Sequence, residues 1–294
     1  MIEALPKPEW LVVRSASDRR LAGVQGAVER HRLNTVCRSA QCPNIFECWH
    51  RGAVTVLILG DVCTRSCRFC ATAAGDPRGF VDADEPRRVA DFAGDMSLDY
   101  LVISSVARDD LRDGGAGVFA EVIERVRDAN KGIRIEVLVP DFSGSVEALA
   151  TVVRAKPDIL GHNVETVKRL SAGVRDRKAS YETSLKLLEA TKRMDAELVT
   201  KSGLMLGLGE DRGEVIDTVR DLRAAGVDIL TLGQYLQPSV RQLPVARYVT
   251  PEEFESLRDA GCELGFRSVR AGPFVRSSYH AGESYMEMEW RTSG

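Results

Sequence analysis

Aromatic side chains and histidines are scarce in this 294-residue sequence, and it contains no long hydrophobic run. Aromatic residues make up 6% of the chain, and its four histidines do not have the spacing of a helical metal motif. The longest apolar stretch, 53–59, is interrupted by Thr55 and is far too short to span a bilayer. Neither sign of charge dominates, because 40 Lys and Arg residues face 43 Asp and Glu residues, for a net charge of −3. We therefore expect no membrane and no nucleic acid as a partner.

The sequence also has no recognisable export signal and no dinucleotide-binding glycine pattern. Residues 1–13 show no basic segment followed by an apolar one, which predicts that the protein has no secretory leader. No Gly-x-Gly-x-x-Gly follows the first predicted strand. We expect a cytoplasmic protein, in which thiols stay reduced, so the cysteines are expected to be ligands or catalysts rather than disulfides.

The middle of the chain, 52–272, alternates short apolar runs with amphipathic stretches. Six runs have the length of a strand and a shorter seventh follows them: 54–59, 100–104, 133–138, 159–164, 198–206, 229–232 and 266–269. Alternation of strands and helices predicts a parallel sheet, and six or seven units fit a barrel better than a doubly wound sheet. We predict an α/β fold, a partial (β/α)6 barrel of the TIM type. An N-terminal extension, 1–51, and a C-terminal extension, 273–294, are expected to close over the barrel mouth.

Six of the seven cysteines lie between Cys37 and Cys70, in two groups of three. The second group, Cys63, Cys67 and Cys70, has the spacing Cys-x3-Cys-x2-Cys and follows the first predicted strand. In a parallel barrel this loop lies on the face where active sites are found. Three thiolates can bind one soft metal centre, but a closed zinc site usually takes four ligands. An iron–sulfur cube held by three thiolates would keep one iron open, whereas a structural zinc site remains the alternative.

The first group, Cys37, Cys42 and Cys48, has the spacing Cys-x4-Cys-x5-Cys and again offers three thiolates. The seventh cysteine, Cys262, falls in a predicted helix and is expected to be a small buried hydrophobic residue. A helix is expected to begin at Thr250-Pro251, because a capping hydroxyl, a proline at the first helical position and acidic residues follow one another there.

The Cys-x3-Cys-x2-Cys motif, with Phe69 before its last cysteine, resembles the signature of the radical S-adenosylmethionine superfamily. With the upstream triad and the motif Arg276-Ser277-Ser278-Tyr279, the whole pattern resembles the lipoyl synthase family. The resemblance implies two 4Fe–4S clusters and S-adenosylmethionine as cofactors. It implies that Cys63, Cys67 and Cys70 hold the radical-generating cluster. It also implies that an auxiliary cluster is bound by Cys37, Cys42, Cys48 and Ser277.

The resemblance further implies contacts between the barrel mouth and S-adenosylmethionine. The residues expected to make these contacts are Gly114, Gly115, Asn163, Glu165, Arg177, Gly203 and Gly207. Ala116 stands where the superfamily usually has a glutamate, so a polar contact must come from elsewhere. Purely structural roles remain the alternatives. They are a tight turn for Gly114 and Gly115, capping of a strand end for Asn163 and Glu165, a buried strand for the segment of Gly203 and Gly207, and a solvated basic loop for Arg177. His162 is expected to be hydrogen-bonded within the fold rather than to bind a metal.

The activity implied by the resemblance is insertion of two sulfur atoms, at C6 and C8 of an octanoyl chain. That chain would be attached to a lysine of the lipoyl carrier domain of a 2-oxoacid dehydrogenase E2, or of the glycine-cleavage H protein. An electron donor such as flavodoxin or ferredoxin is also implied. Such chemistry needs a cofactor radical, because methylene C–H bonds have no useful acidity. Two alternatives stay open: another radical sulfur-inserting or methylthiolating enzyme, and a non-catalytic binding module stabilised by metal.

Overall fold

The computed structural model describes residues 5–12, 19–283 and 285. Within these residues the strands are β1 Asn34–Thr35, β2 Thr55–Ile58, β3 Val62–Cys63, β4 Ala73–Ala74, β5 Tyr100–Ser105, β6 Arg134–Leu138, β7 Ile159–Gly161, β8 Val199–Leu206, β9 Ile229–Gln234 and β10 Ser268–Gly272. The α-helices are α1 Arg19–Arg30, α2 Val36–Ser39, α3 Ile45–His50, α4 Glu85–Asp95, α5 Ala116–Ala129, α6 Val146–Arg154, α7 Lys168–Val174, α8 Tyr181–Met194, α9 Arg212–Ala224 and α10 Pro251–Glu263. Two short 3₁₀ turns cover Glu9–Leu11 and Phe142–Gly144.

Eight of these strands form one sheet in the order β1-β2-β5-β6-β7-β8-β9-β10. β1 runs antiparallel to β2, and every other pairing in this sheet is parallel. Helices α4 to α10 connect successive parallel strands, and the edge strands β1 and β10 do not pair in the described part of the chain. The predicted α/β fold with a partial barrel is therefore confirmed. The carboxyl ends of the parallel strands meet at one end of the barrel, where active sites lie in such folds.

The outer face of the sheet is apolar, where the helices cover it. Ile103, Ile135 and Val137 are fully buried, as expected where helices cover a parallel sheet. The interior of the barrel contains one charged pair in addition. Lys201 of β8 donates hydrogen bonds to both carboxylate oxygens of Glu136 of β6, at 2.9 and 3.0 Å. Both side chains are buried. Removing either partner would leave an unpaired charge in the interior and would destabilise the fold.

Helix α10 begins as predicted, and the expectation for its cysteine is wrong. The Thr250 hydroxyl accepts a hydrogen bond from the Glu253 backbone, and the Glu253 carboxylate accepts one from the Thr250 backbone. This reciprocal pair, with Pro251 in the first turn, fixes the start of the helix. Cys262 is exposed rather than buried. The neighbouring Gly261 is the residue that packs on the sheet, so Cys262 lies one step further round the helix and meets solvent.

Gly115→Ala is expected to destabilise the barrel more than a matched glycine replacement does. Gly115 precedes α5 with φ +89°, and a Cβ added there would collide with the buried side chain of Leu59. Gly132 has nearly the same φ, +85°, but nothing lies within 4 Å of its Cβ position. Backbone strain affects both variants, at about 1 kcal/mol, and overpacking adds about 1–3 kcal/mol for Gly115→Ala alone. Urea unfolding of the two variants measures the difference, and equal losses would show that contact with Leu59 is unimportant.

Candidate active site

A cavity of about 530 Å³ opens at the carboxyl ends of the parallel strands. It brings together residues that are far apart in the sequence. The predicted site residues that line it are Cys37, Cys42, Cys63, Cys70, Asn163, Glu165 and Ser277. Cys48 lines a neighbouring cavity of about 430 Å³, which it shares with Cys37 and Cys42. The two cysteine triads and the C-terminal serine therefore surround one region of the barrel mouth.

The loop that carries the second triad is held in place by Arg65, which lies between two of its cysteines. The Arg65 guanidinium forms ion pairs with Asp109, at 2.8 Å, and with Asp141, at 2.7 Å, beyond the ends of β5 and β6. Burial alone raises the pKa of each carboxyl, but hydrogen bonds from Arg65 and its charge hold both values below their ordinary range. The short parallel pair β3 and β4 closes the same loop, with Cys63 opposite Ala74. The loop is therefore anchored at both its centre and its ends.

Backbone N–H groups point at two sulfur atoms of this triad. The Arg65 amide donates to Cys63 Sγ at 3.4 Å, and the Asp176 amide donates to Cys67 Sγ at 3.3 Å. Burial raises the pKa of the Cys63 thiol, and it raises the pKa of Cys67 to about 11. At neutral pH the metal-free thiols are therefore protonated, and binding of a metal centre must release those protons. The amide donors then stabilise the thiolates that remain.

The first triad is arranged on two short helices beside the barrel. Cys37 lies in α2, Cys48 lies in α3 and Cys42 lies between these helices. Burial, together with the charges of Cys42 and Cys37, raises the pKa of Cys48 to about 12. All three cysteines line the cavity of about 430 Å³, so they face the same space. The helix α2 is capped by Thr35, whose hydroxyl accepts from the Arg38 backbone, so the position of Cys37 is defined locally.

The segment after β10 crosses the first triad and reaches the barrel mouth. Asn44, in the first triad's loop, donates to the Phe274 carbonyl at 2.6 Å. The Tyr279 hydroxyl donates to Glu47, next to Cys48, at 3.0 Å. Between these two anchors, the Ser277 hydroxyl exchanges hydrogen bonds with the Asn163 side-chain amide at 2.7 and 2.9 Å. The predicted serine is therefore held at the cavity that Cys37 and Cys42 also line, although it lies more than two hundred residues from them in the sequence.

The donor set fits iron–sulfur clusters better than a single ion. Among the described residues, no three His, Cys, Asp or Glu side chains converge as ligands of one metal ion. The thiolates of a 4Fe–4S cube bind different iron atoms, so their sulfur atoms need not converge on one point. Soft thiolate ligands are those that iron–sulfur clusters take in proteins. Each triad, on its anchored loop at the cavity, therefore fits one cluster.

Several predicted cofactor contacts lie at the cavity. Asn163 and Glu165 follow β7 and both line it, and burial raises the pKa of Glu165 above its ordinary value. A Cβ at Gly203 would collide with Thr231 and would crowd Asn163, so this glycine leaves room for the asparagine side chain. Gly207 has φ +100°, and a Cβ there would collide with the Gln234 amide. Gly203 in β8 and Gly207 just after it therefore shape the wall of the cavity without lining it.

Other predicted contacts lie elsewhere. Gly114 lines a separate cavity of about 260 Å³ and packs against Phe142, while Gly115 packs against Leu59. Arg177 is exposed and lines none of the cavities described for this part of the chain. Gly114 and Gly115 therefore lie in a tight turn, and Arg177 lies in a solvent-exposed loop. Their contact with S-adenosylmethionine stays a prediction.

Buried polar residues next to the second triad were not predicted. Arg175 donates to Ser184 at 2.8 Å and lines a small cavity, about 180 Å³, with Cys67 and Glu165. It lies two residues before Arg177 in the same basic loop, and unlike Arg177 it is buried. His162 is hydrogen-bonded to Val139 O at 2.9 Å and to Ser184 at 2.8 Å, as expected for a structural histidine. Burial lowers its pKa to about 4, so it is neutral at physiological pH.

Comparison with known proteins defines the class first. Residues 57–222 match the family model of the Radical SAM superfamily. The fold is similar to that of methylornithine synthase, with a TM-score of 0.53 and 14% identity over 74% of this chain and 70% of that one. It is also similar to Streptococcus suis SuiB bound to S-adenosylmethionine, with a TM-score of 0.56 and 12% identity over 87% of this chain and 56% of that one. The chain is an enzyme of the radical SAM class, which implies binding of S-adenosylmethionine and an iron–sulfur cluster.

The particular family follows from closer relatives. The sequence is 53% identical to the lipoyl synthase of Pyrobaculum calidifontis, over 98% of this chain and 99% of that protein. It is 50% identical to the lipoyl synthase of Thermus thermophilus, over 97% of this chain and 88% of that protein. The chain belongs to the lipoyl synthase family, and the sequence-based identification of a radical SAM sulfurtransferase is confirmed. Among the described helices, none combines the length and the apolar character needed to cross a membrane.

Proposed function

We propose that this enzyme inserts two sulfur atoms into a protein-bound octanoyl chain, at C6 and C8. The observation that carries the proposal is that both cysteine triads and Ser277 surround one region of the barrel mouth, with members of each triad lining the same cavity. A substrate chain lying in this cavity would be within reach of both metal centres. Two centres on one cavity are what a reaction needs when hydrogen removal and sulfur addition occur at the same carbon.

Cys63, Cys67 and Cys70 would hold the cluster that binds S-adenosylmethionine. When bound, this pair supplies a deoxyadenosyl radical that removes hydrogen from an unactivated carbon. The chain's own task is to position the cofactor and to keep water out. Asn163 and Glu165 offer polar groups to the cofactor at the end of β7, while apolar residues such as Leu57 and Met205 line the cavity walls. The reaction needs no general base, because a hydrogen atom is removed and not an acidic proton.

Cys37, Cys42, Cys48 and Ser277 would hold the auxiliary cluster, which is consumed as the source of sulfur. An alkoxide oxygen is a harder ligand than a thiolate and matches iron–sulfide chemistry less well. A replaceable fourth ligand suits a cluster that must release sulfide. The hydrogen bonds between Ser277 and Asn163 support this assignment, because they hold the serine at the cavity that Cys37 and Cys42 line.

The expected partners follow from this chemistry. The substrate would be an octanoylated lipoyl carrier domain of a 2-oxoacid dehydrogenase E2 or the glycine-cleavage H protein. A flavodoxin or ferredoxin would supply electrons, and the reaction would take place in the cytoplasm. Residues 1–51 and 273–294 would act as extensions over the barrel, 52–272. The contact of Asn44 with the Phe274 carbonyl supports this division, because it joins the two extensions directly.

Anaerobic reconstitution followed by turnover with an octanoyl-lysyl peptide tests the proposal. We expect about eight iron atoms per chain, as two 4Fe–4S clusters, because six thiolates and one serine are available. We also expect a dithiolated peptide together with deoxyadenosine. One cluster per chain, tightly bound zinc or a methylthiolated product would contradict the proposal. Deoxyadenosine without thiolated peptide would identify a different substrate.

A further inference from the structure

Three loops interlock on the outer side of the second cysteine triad. The Arg68 amide, between Cys67 and Cys70, donates to the Val174 carbonyl at 2.9 Å. The Arg68 carbonyl accepts from the Leu243 amide at 3.0 Å, and Gln242 donates its side-chain amide to the Cys70 carbonyl at 3.1 Å. The segments 173–178 and 236–243 are therefore tied directly to the cysteine loop.

These loops present four exposed cations, which we call the basic patch: Arg68, Arg177, Lys178 and Arg241. Within the described residues, no ion pair involves Arg68, Arg177 or Arg241. The Arg68 guanidinium donates to a backbone carbonyl, that of Gly173, at 2.9 Å. Lys178 lies 3.3 Å from Asp109, whose charge is already shared with Arg65. Three of the four cations therefore have no carboxylate partner among the described residues, which contrasts with the net charge of −3 of the whole chain. Such a group attracts acidic partners over a distance of about 10 Å at moderate salt.

The basic patch lies beside the metal-binding loop and outside the substrate cavity. None of its four residues lines any of the four cavities described for residues 5–12, 19–283 and 285. Arg68 is nevertheless separated from two of the predicted cluster ligands by no more than one residue. A carrier protein that inserts its acyl chain must cover the cavity opening. A partner that only delivers electrons needs a short distance to the cluster and no access to the cavity.

We propose that the basic patch is the docking surface of an acidic protein that donates one electron at a time to the cluster of Cys63, Cys67 and Cys70. This inference rests on the proposed function. The donor, a reduced flavoprotein or iron–sulfur protein, is oxidised by one electron, and the cluster is reduced by one. No covalent bond forms or breaks during docking. The patch supplies charge complementarity, which increases the association rate more than it increases affinity in general.

Charge reversal of Arg241 tests the docking surface. Binding of a reduced flavodoxin, and in parallel a reduced ferredoxin, is measured with reconstituted Arg241→Glu protein at low and high salt. We expect the affinity and the donor-driven cleavage of S-adenosylmethionine to fall about tenfold at low salt, with the difference shrinking as salt increases. Cleavage driven by dithionite is expected to stay within about twofold of the unmodified enzyme, because that small reductant needs no docking. The protein with the larger loss is the preferred donor.

Two variants separate charge from structure. Lys131→Glu reverses an exposed charge in the turn before β6, at the opposite end of the barrel, and is expected to change neither measurement. Arg68→Lys keeps the positive charge, so donor binding is expected to survive, whereas Arg68→Glu is expected to lose it. The proposal is wrong if Arg241→Glu binds both donors normally, or if it loses affinity for an octanoylated carrier domain instead. If dithionite drives no cleavage of S-adenosylmethionine in the unmodified enzyme, the proposed function itself is wrong.

Discussion

Cys63→Ala abolishes the reductive cleavage of S-adenosylmethionine, whereas Cys37→Ala leaves cleavage intact and stops sulfur insertion. This is the expected result if the two triads hold clusters with different roles. Loss of a residue that only hydrogen-bonds to a metal ligand lowers metal affinity or activity about ten- to a hundredfold. Loss of a direct ligand is therefore expected to lower the affected activity by more than about a hundredfold. Deoxyadenosine reports the first step, and thiolated octanoyl-lysyl peptide reports the second.

We expect the two variants to affect different steps because Cys63 and Cys37 lie in different parts of the fold. Cys63 lies on the loop anchored by Arg65, and Cys37 lies in α2 next to the C-terminal segment. Each removal therefore leaves the anchoring of the other triad untouched. Cys262→Ala is the matched control, because this exposed thiol lies in α10, and both products are expected to be unchanged. If Cys63→Ala and Cys37→Ala each lost only the ability to bind the carrier protein, the two triads would have no separate chemical roles.

The spacing of the cysteines predicts two metal-binding loops, because ligands close in sequence are brought together by one loop. Ser277 could not be found that way. Its position depends on how the segment after β10 crosses the first triad, through contacts such as that of Asn44 with Phe274. Only the resemblance to a known family pointed to it. Apolar periodicity likewise predicted the strands, since Ile135 and Val137 face the helices on one side of β6.

The buried charged groups could not be predicted from sequence patterns. Glu136 and Lys201 lie inside apolar runs, and nothing local shows that β6 and β8 bring them within 2.9 Å of each other across β7. The Tyr100 hydroxyl adds a hydrogen bond to Glu136 at 2.6 Å, so the interior group is larger than a pair. The role of Arg65 is not visible in the sequence for a different reason: its partners Asp109 and Asp141 follow other strands, far along the chain. Pairings of this kind depend on the tertiary fold and cannot be read from periodicity.

Arg65→Ala is expected to unfold the cysteine loop and to lower the stability of the whole chain. Arg65 is buried, and its guanidinium is shared between Asp109 and Asp141, which are themselves largely buried. Its removal takes the cation from Asp141 and leaves Asp109 with the exposed Lys178, and removing one partner of a buried pair costs about 3–5 kcal/mol. Arg87→Ala is the control, since Arg87 pairs with Asp84 and Asp91 on the exposed face of α4 and its loss is expected to cost less than about 1 kcal/mol.

The pH dependence of this loss identifies its cause. In the intact protein the pKa values of Asp109 and Asp141 are lowered, so their contribution to stability is present above the unfolded pKa of about 4 and is lost as pH falls through the folded values. In Arg65→Ala, burial would raise the pKa of Asp141 instead, and that variant would lose stability as pH rises above about 4. The difference between the two proteins is therefore expected to be largest near neutral pH and to shrink as pH falls toward about 4. Urea unfolding of the metal-free chains across this range measures it. A difference independent of pH would mean that Arg65 stabilises the loop by packing rather than by charge.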